Sequence, residues 1–449
     1  MSSSKSEQYI IVRAVLTADR FETDGIDISN IIHELNLYEH LEKPYISGQL
    51  MLVDMESILD DINFRGTETF HLELGLPGKT PETIVTRRFA VTGIEKSVKT
   101  NERAEVFVVN LLDESAFLSF SHRFSKSYTG KGEEIITTIM SSELGQGVDL
   151  SYGSISAQEK FKVVIPYLTP LQACEWLRQG ITTVNGSPWF FYASIHDDKL
   201  RLGDLDTIIG LGSTNDTAPF IYSVAAMHGF QTKNDYDQHR VVLDLNKSMM
   251  EETLEVIKQG GISSKVSSTN LLDGKTISHD YKVIDTLEKL RVNQVLSIGY
   301  EQNVYDINHK INHSVKGRLG PDAYQSRYFH TISNSKVYPD VDNFSLDHNA
   351  ADLNNRVSNL SIKSLFYKNM LDVQVMGSQL MAARVSVGDT VTINFLGTNV
   401  HNNRGSVEDL IDKNRSGDYI IYTMKHIFKE GTHHVLMTVG KLSKRKTLI

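Results

Sequence analysis

A single cysteine, Cys174, stands in a chain of 449 residues, so no internal disulfide can form and no Cys-x-x-Cys metal or redox motif is possible. No apolar run approaches the roughly 20 residues that a membrane-crossing helix needs. The start, Met1-Ser-Ser-Ser-Lys-Ser-Glu-Gln, has no apolar signal core, which predicts folding in a reducing cytoplasm, with any membrane role exercised through partners. Basic residues are short as well: 46 Lys and Arg face 55 Asp and Glu, a formal net charge of −9. That balance argues against holding nucleic acid by neutralising its phosphates. No Gly-x-Ser-x-Gly nucleophile elbow occurs, which removes the commonest signature of serine hydrolase chemistry.

What is present is the make-up of a soluble globular chain, 40% hydrophobic and 22% charged, long enough for two to four domains. Period-2 patterning is clearest near the end. Leu371, Val373 and Val375 alternate with Asp372 and Gln374, Gly377 breaks the run, and Val391, Ile393 and Phe395 alternate with Thr390, Thr392 and Asn394. These read as half-buried strands. Tyr419 to Met424 rises again, Glu430-Gly431 turns the chain, and Val435, Met437 and Val439 repeat the period.

A second β-rich block occupies residues 8 to about 120. Tyr9 to Leu16, two short runs between Ile26 and Leu41, Gln49 to Asp54 and Thr67 to Leu76 read as strands, and Arg88 to Val98 should pair with Ala104 to Leu112. Ser57 to Ile62 reads as a helical turn and Leu76 to Lys79 as a turn. Pro44 cannot donate to a ladder, and Gly48 permits a bulge or sharp bend.

Between the blocks the period changes to 3.6. Ile135, Ile136, Ile139 and Met140 stripe one face of a helix over Lys131 to Leu144. Thr169-Pro170-Leu171-Gln172 is a helix start, with Leu171, Cys174, Leu177 and Ile181 on one side. Cys174 is thereby placed in a core rather than in a site. Trp189 to Ser194 and Lys199 to Gly203 read as strands, joined around Asp197-Asp198. Gly210 to Pro219 reads as a linker, Phe220 to Met227 and Gln238 to Ser248 as strand-like, Val256 to His279 as a segment broken at Gly260-Gly261, and Asp347 to Leu365 as helical in its first part. Residues 296–345 have weak periodicity.

Three segments carry a resemblance. Val373-Gln-Val-Met-Gly377, Val387-Gly-Asp389-Thr-Val391 and Ser416-Gly-Asp-Tyr419 through His426 resemble the last barrel of the central baseplate hub protein of contractile-tailed phages. The late-control D proteins and the base of type VI secretion spikes are more distant versions. Tyr38-Glu39, Pro44-Tyr45-Ile46-Ser47-Gly48, Asp54 and Gly66-Thr67-Glu68 are similar to that family's first barrel. Turn geometry accounts for each Gly or Pro singly; their ordered combination carries the likeness.

The resemblance implies a β-rich α+β fold. It has two antiparallel β-barrels of the tail-tube kind, an α+β module between them, and an interrupted second barrel. Expected boundaries are 1–120 for the first barrel, 121–215 for the module, 216–255 for the first part of the second barrel, 256–361 for an inserted region and 362–449 for the remainder. It implies a structural homotrimer that joins a sixfold tail tube to a threefold spike and lines a DNA channel. Its partners would be a trimeric central spike protein, a tail tube or tube-initiator protein and the tape measure protein. DNA would pass without specific binding, nothing would insert in a membrane, and the protein would be assembled in the host cytoplasm and end in the virion baseplate. The alternatives are a baseplate-associated cell-wall hydrolase and the hub of a non-phage injection system. The acidic balance allows a neutral or negative channel wall.

Nothing else in the sequence supports catalysis, and no catalytic, cofactor-binding or metal residue and no cofactor is expected. Gly75-Leu-Pro-Gly78-Lys79-Thr80 lacks the first glycine of a phosphate loop, since Glu73 stands there, and Pro81 follows where a helix should open. His309 and His313 share helical spacing but have no adjoining Glu and no third ligand. His433 and His434 point to opposite faces of a strand. Asp60-Asp61 and Asp197-Asp198 matter for glycoside chemistry only if carboxylates converge across a cleft.

Overall fold

The computed structural model describes residues 8–21, 25–55, 65–77, 82–101, 104–154, 161–215, 218–222, 240–246, 258, 263–271, 274–282, 327–333, 353–368, 370–396, 411–412 and 415–441. The readings at Ser57–Ile62, Asp60-Asp61, Lys79-Thr80, His309 and His313 lie outside them.

The first β-block is made by β1 (Ile10–Thr17), β2 (Ile26–Asp27), β3 (Ile32–His40), β4 (Ser47–Asp54), β5 (Thr69–Leu76), β6 (Glu82–Asn101) and β7 (Ala104–Asp113). They are hydrogen-bonded in the order β3-β4-β7-β6-β5-β1-β2, all antiparallel. Alternate residues of β4 and β5 turn inward, so Leu50, Leu52, Phe70, Leu72 and Leu74 meet Leu35, Leu37, Phe89 and Val109 in one core. Gly48 does not mark a bulge. It lies in unbroken register between Leu37 and Leu111. It is small because a Cβ there would come within 2.9 Å of the Leu37 side chain.

The chain then enters α1 (Glu114–Ser121), a helix in a stretch where strands were expected to continue to about residue 120. Its sequence gives no apolar stripe: Phe117, Leu118 and Phe120 are exposed, while Ala116 and Ser119 face inward. After β8 (Ser127–Gly130) come α2 (Gly132–Leu144), β9 (Val148–Asp149), β10 (Phe161–Val164), α3 (Pro170–Arg178), β11 (Trp189–Tyr192), β12 (Leu200–Asp204) and α4 (Leu205–Gly210). The start of α3 is a capping box. Thr169 Oγ1 accepts from the Gln172 amide at 3.4 Å, and Gln172 Oε1 accepts from the Thr169 amide at 3.3 Å. The stripes read for α2 and α3 are buried with Trp189, Phe191, Leu200 and Leu202 in the core of the first block.

The second β-block comprises β13 (Phe220–Tyr222), β14 (Asp244–Asn246), β18 (Met370–Met376), β19 (Thr390–Phe395), β20 (Gly417–Lys429) and β21 (Thr432–Lys441). Between these come β15 (Ser263–Asn270), β16 (Thr276–Lys282) and β17 (Arg327–Ser333), a separate three-stranded sheet, and α5 (Leu353–Lys368); α6 (Ser378–Ala382) follows β18. The helix α5 runs across the boundary expected at 361/362. β19 is buried on both faces, not half-buried as its alternation suggests. Ser213, Thr214 and Asn215, read as linker, cover it, with the Thr214 amide donating to Thr390 O at 2.9 Å and Asn215 Oδ1 accepting from the Thr392 amide at 2.6 Å. The β20–β21 hairpin turns in two residues, Glu430 and Gly431, both at positive φ (48° and 75°), the geometry that matches strand twist.

The two blocks repeat one strand order. β3-β4-β7-β6-β5-β1 in the first corresponds to β14-β18-β21-β20-β19-β13 in the second, with the strands in the same sequence along the chain. The registers coincide: Thr69, Ala90 and Leu112 stand opposite one another in the first, and Thr390, Ile420 and Gly440 in the second. Each long strand skips one residue just beyond that row, between Val91 and Gly93 and between Ile421 and Thr423. Equivalent amides follow suit, Val91 to Glu68 O and Ile421 to Asp389 O, each at 3.0 Å. One strand departs: β1 is antiparallel to β5, whereas β13 is parallel to β19.

Candidate functional site: the seam between the two β-blocks

Strand β20 holds β19 with Gly417–Ile420 and, beyond its bulge, holds β3 with Thr423–Lys429, so the two blocks form one continuous thirteen-stranded sheet. Antiparallel strand pairing fixes their relative position more firmly than side-chain packing alone, because each ladder bond sets register as well as distance.

Behind this ladder the side chains are polar and buried. Glu39 of β3 accepts from the Ser386 hydroxyl and from the Val387 amide at 3.2 Å, and its other oxygen lies 3.2 Å from His426 Nε2 of β20. Burial pushes the Glu39 carboxyl up, but His426 and Ser386 outweigh it and hold the group below the usual carboxylate range. His426 Nδ1 is 3.1 Å from His433 Nε2. Burial, reinforced by His426 and His434, pushes His433 well below the ordinary histidine value, which keeps it neutral. The His433 ring stacks on Phe428 at 4.2 Å and fills the space where a Cβ on Gly377 would stand, 2.4 Å away. His433 does point inward, and its partner in the site is the distant His426, not the adjoining His434. His196, in the loop after β11, faces Glu39 and His426, and burial lowers it to about 4.

The α+β module is fastened to both blocks by arginines. Arg201 of β12 pairs with Asp197 at 2.5 Å, approaches Asp389 at 3.6 Å and lies over the Tyr152 ring at 4.6 Å. Burial raises Asp389 to about 6 despite Arg201. Its carboxylate accepts from the Ser386 amide at 2.9 Å, as Glu68 in the equivalent loop accepts from Arg65 at 2.7 Å. Gly388 has φ +83°, and a Cβ there would lie 2.6 Å from the Tyr192 hydroxyl. Arg87 of β6 donates to the carbonyls of Ser194, Asp197 and Ile195. On the far side of the ladder Lys363 of α5 pairs with Glu42 and lies 4.8 Å over Phe190. Burial, with Arg178 nearby, lowers it to about 8.

The residues weighed for chemistry lie apart. Asp197 is engaged by Arg201, and the Asp198 carbonyl accepts from Gln146. Gly75 and Leu76 end β5. Cys174 is buried in the core, and burial pushes its thiol up, away from the reactive thiolate form. Among the described residues no group of three or more His, Cys, Asp and Glu is placed to hold a metal ion, and no helix is long and apolar enough to cross a membrane. The arrangement can do one thing well: it locks three structural units together through buried, oriented polar contacts. Sequence reasoning marked Glu39, Asp389 and His426 only within motifs, and the fold brings those motifs to one place. It did not single out Arg87, Arg201 or Lys363, for which no local pattern exists.

No protein-family model matches the sequence, and no curated protein does. Among solved structures, the 43 kDa tail protein of prophage MuSo2 from Shewanella oneidensis superposes with a TM-score of 0.51 at 10% identity, over 96% of this chain and 98% of that one. This chain shares the fold of that tail protein. A tail protein from Neisseria meningitidis MC58 gives a TM-score of 0.49 at 9% identity, covering 96% of both chains. The c3393 protein of Escherichia coli, a component of the type VI secretion system with similarity to T4 tail proteins gp27 and gp5, gives 0.40 at 10% identity over 97% of this chain and 80% of that one. The fold here is mostly antiparallel sheet with few helices.

Proposed function

We propose that this chain is a structural subunit of a contractile tail, the hub of its baseplate. Three copies form a ring of six similar β-barrels around a channel; one face of the ring meets the sixfold tail tube or a tube initiator, and the other seats a trimeric spike. The observation that carries this reading is the repeated strand order. A trimer of a chain with two like blocks offers six like surfaces, which a sixfold tube can match, while its exact symmetry stays threefold. The pairing of β13 and β14 with β19 and β18 supports an interrupted second barrel built from residues 216–255 and 362–449. The middle insertion and the α+β module of 121–215 are units attached to it and to the first barrel of 1–120.

The buried contacts of the seam support a structural role, since Glu39, Ser386, His426 and His433 bind one another across separate elements of the chain. DNA passes the ring without retention, so the channel wall is net negative or neutral, and the tape measure protein occupies the channel before it. The protein resides in the virion baseplate after assembly in the host cytoplasm. Sedimentation of the purified chain, alone and with its co-expressed spike, tests the assembly: a trimer is expected in at least one condition. A monomer or dimer in both at micromolar concentration would overturn it, as would clearing of peptidoglycan in a zymogram. Tight, salt-sensitive binding of duplex DNA would refute the channel reading.

A further inference from the structure

The strand β20 is bonded along both edges. On the edge away from β21, it holds β19 before the bulge and β3 after it. β6 is built the same way. On the edge away from β7, Glu82–Ala90 hold β5 and the bulge at Thr92 follows. From Gly93 to Asn101, among the described residues, no strand occupies that edge. The strand that the internal repeat assigns to it is the counterpart of β3, which is β14. Among the described residues β14 is itself paired on one edge only, to β18.

The equivalence extends to side chains. Asp244-Leu245-Asn246 stands against β18 where Glu34-Leu35-Asn36 stands against β4. Within one chain β6 and β14 cannot meet, because β18, β21, β20, β3, β4 and β7 lie between them in the sheet. An open edge of this length invites another chain. Two further register shifts, between Ile94 and Lys96 and between Lys99 and Asn101, twist it away from casual pairing.

We propose that β14 of one copy adds to the free edge of β6 in the next, so that the junction between subunits repeats the β3–β20 seam. The inference rests on the hub reading above and names the surface through which its trimer forms. Carried over from the seam, the register sets Leu245 opposite Lys99 and Asn246 opposite Val98, antiparallel, as Leu35 stands opposite Phe428 and Asn36 opposite Ile427. Asp244 takes the position of Glu34, which pairs with Lys429 at 3.2 Å at the end of the seam. The contact is head-to-tail, since different surfaces meet, and such a contact closes into a ring when its rotation allows.

The test is a cysteine pair, Val98→Cys with Asn246→Cys, in the full chain with the buried Cys174 left in place. Mild oxidation of the assembled protein is expected to give covalent dimers and trimers, and nothing larger, on a non-reducing gel. Val98→Cys with Met55→Cys, at an exposed site outside the register, should give none. A trimer by sedimentation that fails to cross-link, or that cross-links equally through the Met55 variant, overturns the inference and leaves the hub reading standing. A protein monomeric with and without the spike overturns both. Hydrogen exchange on the unaltered protein answers independently of the variants' folding. The amides of Val98–Thr100 that face away from β7 should slow by at least about tenfold on assembly, and unchanged rates refute the pairing.

Discussion

The two β-blocks share an order and a register but differ in what surrounds them. In the first, the loop before β5 is capped by the buried Glu68, which pairs with Arg20, and a Cβ on Gly66 at φ +77° would meet nothing within 4 Å. In the second, the equivalent loop before β19 is capped by Asp389, walled in by Arg201, Tyr192 and the seam. One plan thus leaves open space at this loop in one place and receives a docked side chain at it in the other. The difference lies in what each loop meets: Tyr192 of the α+β module stands over Gly388, and Ser213–Asn215 bond to β19.

The sharpest way to break this comparison is at the paired loops. Gly388→Val forces a β-branched side chain into positive φ and into Tyr192, and should cost about 4 kcal/mol or prevent accumulation of folded protein. Gly66→Ala meets only the backbone penalty and should cost about 1 kcal/mol. Denaturant midpoints decide; similar losses at both sites would show that the loops are equally confined. Next in size is Glu39→Ala, which strands His426 and the Ser386 hydroxyl in the interior and should cost about 3 kcal/mol.

A pH titration sharpens the contrast further. His433 and His196 are depressed in the folded state, so the unfolded chain takes up their protons first. Stability from both is present above about pH 6.5 and is lost as pH falls below it. Asp389 is raised to about 6, so folding gains a little as pH falls from about 6 toward 4, a partial offset. The net expectation is a loss on the order of 1 kcal/mol between pH 6.5 and 5, with a shallower slope in His433→Asn. A flat profile in the unaltered protein would contradict the placement of these rings. The smallest effect should come from Glu34→Gln at the exposed end of the seam, within about 0.5 kcal/mol.

Much of the wall was legible because its side chains alternate. Val373, Val375, Val435, Met437 and Val439 are all buried as read, Glu430-Gly431 turns the hairpin, and Thr169 with Gln172 opens its helix. These signals are local, so a short window contains them. What escaped was what depends on distant contacts or on a segment without periodicity. The helix of Glu114–Ser121 presents phenylalanines to solvent and so mimics no amphipathic pattern. Thr390 to Phe395 alternates like a half-exposed strand, and its polar face is buried by distant parts of the chain, Ser213 to Asn215 and Asp418 among them. The site itself was legible only as resemblance: Glu39 and His426 lie 387 positions apart, and no spacing rule reaches that far.

That separation also governs how the chain is made. When β3 leaves the ribosome, the strand that will cover its outer edge has not been synthesised, and at about 5–20 residues per second the wait is roughly 20 to 80 s. For that time the first block is nearly complete yet presents an unpaired edge, the condition that favours mispairing between neighbouring nascent chains. Closure of β20 onto β3 is therefore a late event in folding. Truncation between the end of the α+β module and β20 should leave a first block that is ordered but prone to aggregate.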